Sequence, residues 1–203
     1  MKRWLALVLL LPLAGCGYNR IQSLDEQASS AQSQIGVQLQ RRGDLIGNLV
    51  NTVKGYAQHE EAVFTQVAQA RSGLASAIQS GDAEQMANAN AQVSNALRGL
   101  MVQVEAYPQL KADQGFLRLQ DELTGTENRI AVARNDYNQA VNAYNAYIRQ
   151  FPTVITAKVT GAKPRKYFAA TNEAQQGPPV VDFSKPGAAP ASPAPPAPPA
   201  KKP

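Results

Sequence analysis

The chain has 203 residues, with 20 Lys and Arg against 15 Asp and Glu, a net charge of +5 and a pI near 9.4. A single Cys excludes a disulfide framework and a thiolate zinc site, and a single His leaves no pair for the common zinc hydrolase arrangements. The length suits one domain with tails, and the basic excess points to nucleic acid or an acidic surface only if those charges sit on the folded body.

Met1-Lys2-Arg3 is a short basic start, Trp4 to Leu11 is an almost unbroken apolar run, and Pro12 then precedes Leu13-Ala14-Gly15-Cys16. The run is shorter than the roughly 20 residues that span a bilayer and has the layout of an export signal. Its last four residues resemble the bacterial lipobox, which implies cleavage before Cys16 and acylation of its thiol. Two or three acyl chains hold a protein durably where one holds it only marginally. Gly17, rather than Asp, follows the Cys, which by the same resemblance favours the outer membrane in a Gram-negative cell.

From Ile21 the apolar residues step in threes and fours through Leu24, Ala28, Ala31, Ile35 and Leu39, and resume at Leu45/Ile46, Leu49, Val53 and Tyr56. This is the period of a helix, and it predicts a long first one. Gly36, Gly43, Gly47 and Gly55 interrupt its propensity and leave open a break between Gly43 and Gly55. The stripe continues through Phe64, Val67, Leu74 and Ile78 to a turn at Ser80-Gly81-Asp82. Asp82 with Gln85 reads as a capping box for a helix buried through Met86, Ala89, Val93, Leu97, Leu100 and Val104. Tyr107-Pro108 breaks that helix. Asp113 should cap the longest stripe, through Phe116, Leu119, Leu123, Ile130, Tyr137, Val141, Tyr144 and Ile148, which ends at Phe151-Pro152. At 1.5 Å per residue, a helix over 113–151 would be about 58 Å long and could bury its stripe only against antiparallel neighbours. The predicted fold is all-α: an elongated antiparallel bundle of three or four long helices.

Residues 153–168 mix β-branched residues with Lys158, Lys163, Arg165 and Lys166 and read as extended chain laid against the bundle, with Tyr167 and Phe168 as anchors. An even number of full-length helical passes would bring this segment back to the anchored end. From Gly177 the chain is rich in Pro and Ala, and ten of the 14 prolines lie from Pro178 onward, which predicts a disordered or polyproline spacer. The expected organisation is a signal over 1–15, a helical domain over 16–170 and a tail over 171–203.

The run Arg41-Arg42-Gly43-Asp44-Leu45-Ile46-Gly47-Asn48-Leu49-Val50 continues as Asn51-Thr52-Val53-Lys54-Gly55-Tyr56-Ala57-Gln58-His59-Glu60. It resembles the signature of the LemA family, and Tyr18-Asn19, Ala70-Arg71, Glu105-Ala106-Tyr107-Pro108, Tyr137-Asn138, Tyr144-Asn145, Phe151-Pro152 and Gly161 extend the likeness. The resemblance covers roughly residues 18–170. It departs from the family pattern at Gly47, where Pro is usual, and at Gly43, where Ala is usual. Many members resemble proteins with an uncleaved N-terminal membrane helix rather than a lipobox. The resemblance implies a bundle of long helices on a membrane, facing one aqueous side, and implies no activity.

Arg41, Arg42, Asp44, Lys54, His59, Glu60 and Arg71 gather in or near that signature. They read either as ion pairs fixing helix register, with partners such as Glu105, Asp113, Glu127 and Arg134, or as a patch (Arg41, Arg42, Asp44, Lys54, His59, Arg71) that receives a protein partner. A hydrolytic reading would take His59 as base beside Asp44 or Glu60, with Thr52 or Thr65 as nucleophile, but no nucleophile turn, phosphate loop or metal motif accompanies them. No catalytic residue, metal or cofactor is expected. Tyr137, Tyr144 and Tyr147, with Asn138, Asn142 and Asn145, read as core residues with polar tips rather than a ligand box.

The charge divides by segment. Lys2 and Arg3 belong to the signal, residues 16–157 carry 11 basic and 13 acidic side chains, and residues 158–203 carry seven basic and two acidic. The helical body is slightly acidic and has no nucleic-acid footprint. The expected partners are a membrane through the anchor and other envelope proteins, with no nucleic acid and no small-molecule substrate. Three functional readings result: a non-enzymatic envelope scaffold or adaptor, a hydrolase or its accessory subunit around His59, and a spacer that touches membrane or wall through the basic segment.

Overall fold

The computed structural model describes residues 2–56 and 61–168, with side chains from Gly17 onward. Among these described residues six helices follow in order: α1 (Lys2–Lys54), α2 (Glu61–Ser80), α3 (Ala83–Val104), α4 (Pro108–Lys111), α5 (Gln114–Tyr147) and α6 (Thr153–Thr160). The described residues contain no strand. The chain is an all-α bundle.

α1 runs unbroken through Gly36, Gly43 and Gly47 and ends only at Lys54, where the Gly55 and Tyr56 amides turn back to Thr52 and Val53. Each internal Gly costs up to about 1 kcal/mol, whereas burial of Ile46, Leu49 and Val53, at most 1% exposed, returns roughly 1.5–3 kcal/mol apiece. Packing therefore overrides propensity, and the break left open between Gly43 and Gly55 reduces to the helix end itself. Asp82 caps α3 by accepting from the Glu84 and Gln85 amides at 2.9 and 3.0 Å, and Asp113 caps α5 through the Phe116 amide at 2.8 Å. Tyr107-Pro108 ends the α3 pass, with Pro108 opening the single turn α4.

α1 and α5 run antiparallel. At one end Tyr56 donates to Asp113 at 3.1 Å, and at the other Ile21 and Leu24 cluster with Tyr144 and Ile148. The hairpin of α2 and α3 packs on the upper part of this pair, α2 descending α1 so that Phe64 sits beneath Lys54 and Ile78 beside Gly36. Gln32 donates to the Gly81 carbonyl, which marks where the hairpin turns back. From Gly17 to Lys54 α1 spans about 57 Å and α5 about 51 Å, against about 30 and 33 Å for α2 and α3. The hairpin cannot cover the whole pair.

The chain after α5 covers the remainder. Residues 153–160, expected to be extended, instead form α6, a correction that packing explains. Thr153 and Ala157 bury one face against α1 and α5, which outweighs the modest helix penalty of the β-branched residues. Gly161, at φ +73°, takes the left-handed conformation that ends the helix, and the Ala162 amide closes onto the Ala157 carbonyl. Residues 162–168 then do run extended, as a strap along α5.

The strap is held by side chains rather than by a neighbouring strand. Asn145 donates to the Arg165 carbonyl at 2.9 Å and accepts from its amide at 2.8 Å, while Asn138 does the same for Phe168 at 3.2 and 2.9 Å. Tyr144 and Tyr137 donate to the carbonyls of Lys163 and Lys166 at 3.1 and 2.8 Å. Seven residues of helix rise about 10.5 Å and three residues of extended chain about 10 Å, so a Tyr-Asn pair repeated at seven meets every third strap residue. Phe168, 2% exposed, enters the main core with the Arg134 guanidinium 4.9 Å from its ring, whereas Tyr167 stays at the surface. Replacing Asn145 by Ala would orphan both backbone groups of Arg165. Urea unfolding should show a loss of about 1–3 kcal/mol, and hydrogen exchange at Arg165 and Phe168 should accelerate while the α2–α3 amides keep their protection.

Candidate functional site

The signature residues separate into three environments. Arg42, 6% exposed, points into the bundle, where Asn90, Ser94 at 3.0 Å and Glu127 at 2.7 Å receive its guanidinium. Three helices are thereby tied to one cation, and burial pulls its pKa below the ordinary value while Glu127 opposes the shift. Arg41 stays at the surface and lies 3.9 Å from Glu122, also on α5, in a half-exposed pair. Of the register partners expected from the sequence, Glu127 meets Arg42, whereas Asp113 takes the Tyr56 hydroxyl and Arg134 covers Phe168.

Asp44, Lys54 and Arg71 come together in an open groove of about 390 Å³ between α1 and α2, lined also by Asn48, Asn51 and Phe64. Arg71 reaches Asp44 at 3.8 Å, and the Lys54 ammonium lies 5.4 Å from the centre of the Phe64 ring. Gly47 makes room for the arginine: a Cβ there would stand 3.0 Å from its Nη1 and 3.2 Å from its Cζ. The Gly that replaces the family's Pro thus admits a guanidinium flat against the helix. Thr52 and Thr65 donate their hydroxyls to the carbonyls of Asn48 and Glu61 in their own helices, at 3.1 and 2.9 Å. His59 and Glu60 lie outside the described residues, and among those described no cluster of three His, Cys, Asp or Glu side chains is placed to hold a metal. The groove offers paired and stacked charges with amide donors, which suits contact with polar groups of another molecule.

The basic segment is divided between fold and surface. Arg165 forms a two-point pair with Asp25, Nε to Oδ1 at 2.7 Å and Nη2 to Oδ2 at 3.0 Å, and that hydrogen bonding raises its pKa further. Lys166 reaches Glu84 at 3.0 Å and Asp82 at 3.7 Å, and its pKa is raised chiefly by Glu84. Lys158 and Lys163 are exposed and make no ion pair among the described residues. The Tyr137 and Tyr144 hydroxyls are pushed up mainly by burial, as their strap-facing positions require. The strap contacts were missed by the sequence reading, although the repeat of Tyr-Asn at seven residues was their signal. Cys16 lies outside the residues whose side chains are described, and no described helix is long and apolar enough to cross a membrane.

The profile of the LemA family matches residues 31–183. One of two MamQ magnetosome proteins of Paramagnetospirillum magneticum is 29% identical over 174 residues, covering 74% of this chain and 64% of its own length. The magnetosome protein MamQ of Magnetospirillum gryphiswaldense is 28% identical over 187 residues, covering 81% and 69%. Protein LemA of Metamycoplasma hominis is 24% identical over 140 residues, covering 69% and 63%. The chain therefore spans just under two thirds of the length of the first of these relatives. None of the names denotes an enzyme.

Two measurements test the site. Arg42→Ala should cost about 1–3 kcal/mol in chemical denaturation, the half-exposed Glu127 holding the loss below that of a fully buried pair, while Arg41→Ala should change stability by less than about 0.5 kcal/mol. Asp82 is held below the usual carboxylate range, chiefly by the Gln85 amide. Its contribution is therefore complete above the unfolded value, about 3.9, and lost as pH falls through the lower folded one. Asp82→Asn, which keeps a cap, should flatten that part of the acid-unfolding profile.

Proposed function

The chain belongs to the LemA family, and from that premise we propose that it is a lipid-anchored protein of the cell envelope whose bundle holds other envelope proteins without chemistry of its own. The observation that carries the proposal is where α5 delivers the chain. A Cβ at Gly17 would lie 3.6 Å from Thr153, so both ends of the long helix pair meet one residue from Cys16. Anchored through that cysteine, the bundle stands with the far end of α1, at Lys54, about 57 Å away. The two MamQ relatives are named for the magnetosome and not for a reaction. On this reading residues 1–15 are removed, 16–170 form the projecting domain, and 171–203 are a spacer. The domain faces the periplasm, from the outer membrane where the cell is Gram-negative.

The groove of Asp44, Lys54 and Arg71 lies toward the projecting end and is the surface offered to a partner, with His59 in the connection that follows α1. Mass spectrometry of the mature protein should find an N-terminal acylated Cys16; a chain that still begins at Met1, or an unmodified cysteine, overturns the anchor. In-cell crosslinking followed by capture should recover a reproducible partner that Arg71→Ala weakens. Absence of any partner, together with a turnover that His59→Ala abolishes, would replace the scaffold by a hydrolase.

A further inference from the structure

The exposed apolar residues are unevenly distributed. Val37, Val102, Leu117 and Val132 stand far apart in the sequence and on different helices or turns, the scatter that any surface carries. Phe151, Ile155 and Val159 are 82%, 56% and 83% exposed at four-residue spacing, so Ile155 and Val159 share a face of α6 and Phe151 leads into it. That face lies opposite the Thr153 and Ala157 that bind α6 to the bundle. Tyr18, 44% exposed, follows on α1 the Gly17 that packs on Thr153.

Charge frames the stripe. No acidic residue occurs between Asp136 and Glu173, while Arg149, Lys158 and Lys163 in that interval, and Arg20 on α1, are exposed. Asp25, the first acid after Gly17, is occupied by Arg165, which leaves Glu26 as the exposed carboxylate on this stretch of α1. An apolar stripe edged by lysines and arginines matches a surface of anionic phospholipid. Acyl chains take the stripe, phosphates take the cations, and long basic side chains span the two. A tyrosine at the same level is the residue that favours such an interface.

We propose that α6 is a membrane-docking helix, seating Phe151, Ile155 and Val159 in the headgroup layer of an anionic bilayer, with Arg20, Arg149, Lys158 and Lys163 on lipid phosphates. The proposal rests on the anchored reading for its orientation and adds a second contact about one helix diameter from the anchor. Two contacts fix the tilt of the bundle, whereas an acyl anchor alone leaves it free to swing.

The test uses the mature acylated chain, which on the anchored reading begins at Cys16 and so carries no native tryptophan, with Ile155→Trp supplying the sole one, in vesicles of phosphatidylglycerol and phosphatidylethanolamine with brominated acyl chains. The emission of the Ile155→Trp protein should shift to the blue and lose roughly half its intensity, and Lys158→Gln with Lys163→Gln should restore most of it. Leu117→Trp, at the other end of the bundle, should show neither effect. Val159→Trp provides a second probe should Ile155→Trp perturb the helix. A protein that floats with the vesicles but leaves both probes unquenched overturns the docking helix and spares the anchor, and one that does not float overturns both. A dimer that forms without lipid and is broken by Val159→Lys would give the stripe to a second copy and also overturn the proposal.

Discussion

The antiparallel pair of α1 and α5 is about 20 Å longer than the hairpin packed on it, and that mismatch governs the rest of the molecule. Where α2 and α3 are present, four helices close around Ile35, Leu39, Ile46, Leu49 and Leu100. Beyond the Ser80-Gly81-Asp82 turn two helices alone would leave Ile21, Leu24, Tyr137 and Tyr144 wet. The chain solves this with seven extended residues and a short helix, a thinner cover than a second hairpin. An extended segment brings unpaired backbone groups with it. The Tyr-Asn pairs on α5 supply their partners, so the polar residues on the buried face follow from covering a helix with extended chain.

That constraint explains what could be read in advance. The period of three and four located α1, α2, α3 and α5, because each buries one continuous stripe, and Asp82, Asp113 and Pro108 fixed boundaries by local chemistry alone. The composition of residues 153–160 favours extended chain, while the contact that folds them, Thr153 and Ala157 against α1, joins residues more than 130 positions apart. The glycines of α1 left its end open between Gly43 and Gly55, and burial of Ile46, Leu49 and Val53 carries the helix to the far edge of that interval, at Lys54. The two asparagines of the clamp were visible as residues but not as a clamp, since their partners are backbone atoms and carry no sequence signature.

The signature run gave the family but not the roles within it. Arg41 and Arg42 are neighbours in sequence and both meet α5, yet one is in a half-exposed pair with Glu122 and the other is the buried hub of Asn90, Ser94 and Glu127. Their separation is simple helix geometry, about 100° per residue, applied at the edge of an apolar stripe. A buried guanidinium adds little stability over a well-packed hydrophobe, but it does impose a single alignment of α1, α3 and α5, because each partner has one place to be. Uniform stripes of Ala, Val and Leu could slide by a turn; Arg42 makes such a slide costly.

The same division runs through the basic segment. Arg165, partly buried, and Lys166, at the surface, are spent on Asp25, Asp82 and Glu84, which lash the strap to α1 and to the start of α3. Lys158 and Lys163 point outward beside the exposed face of α6. The four cations from Lys158 to Lys166 therefore do two unrelated things, two in a clamp and two at a surface. Only the surface is free to meet an anionic partner, and it lies at the end of the bundle where Gly17 packs on α6 and the chain runs back toward its apolar start. Covering the long helix pair with chain returning from α5 thus brings the exposed face of α6 and its cations to the end of the bundle that carries Gly17.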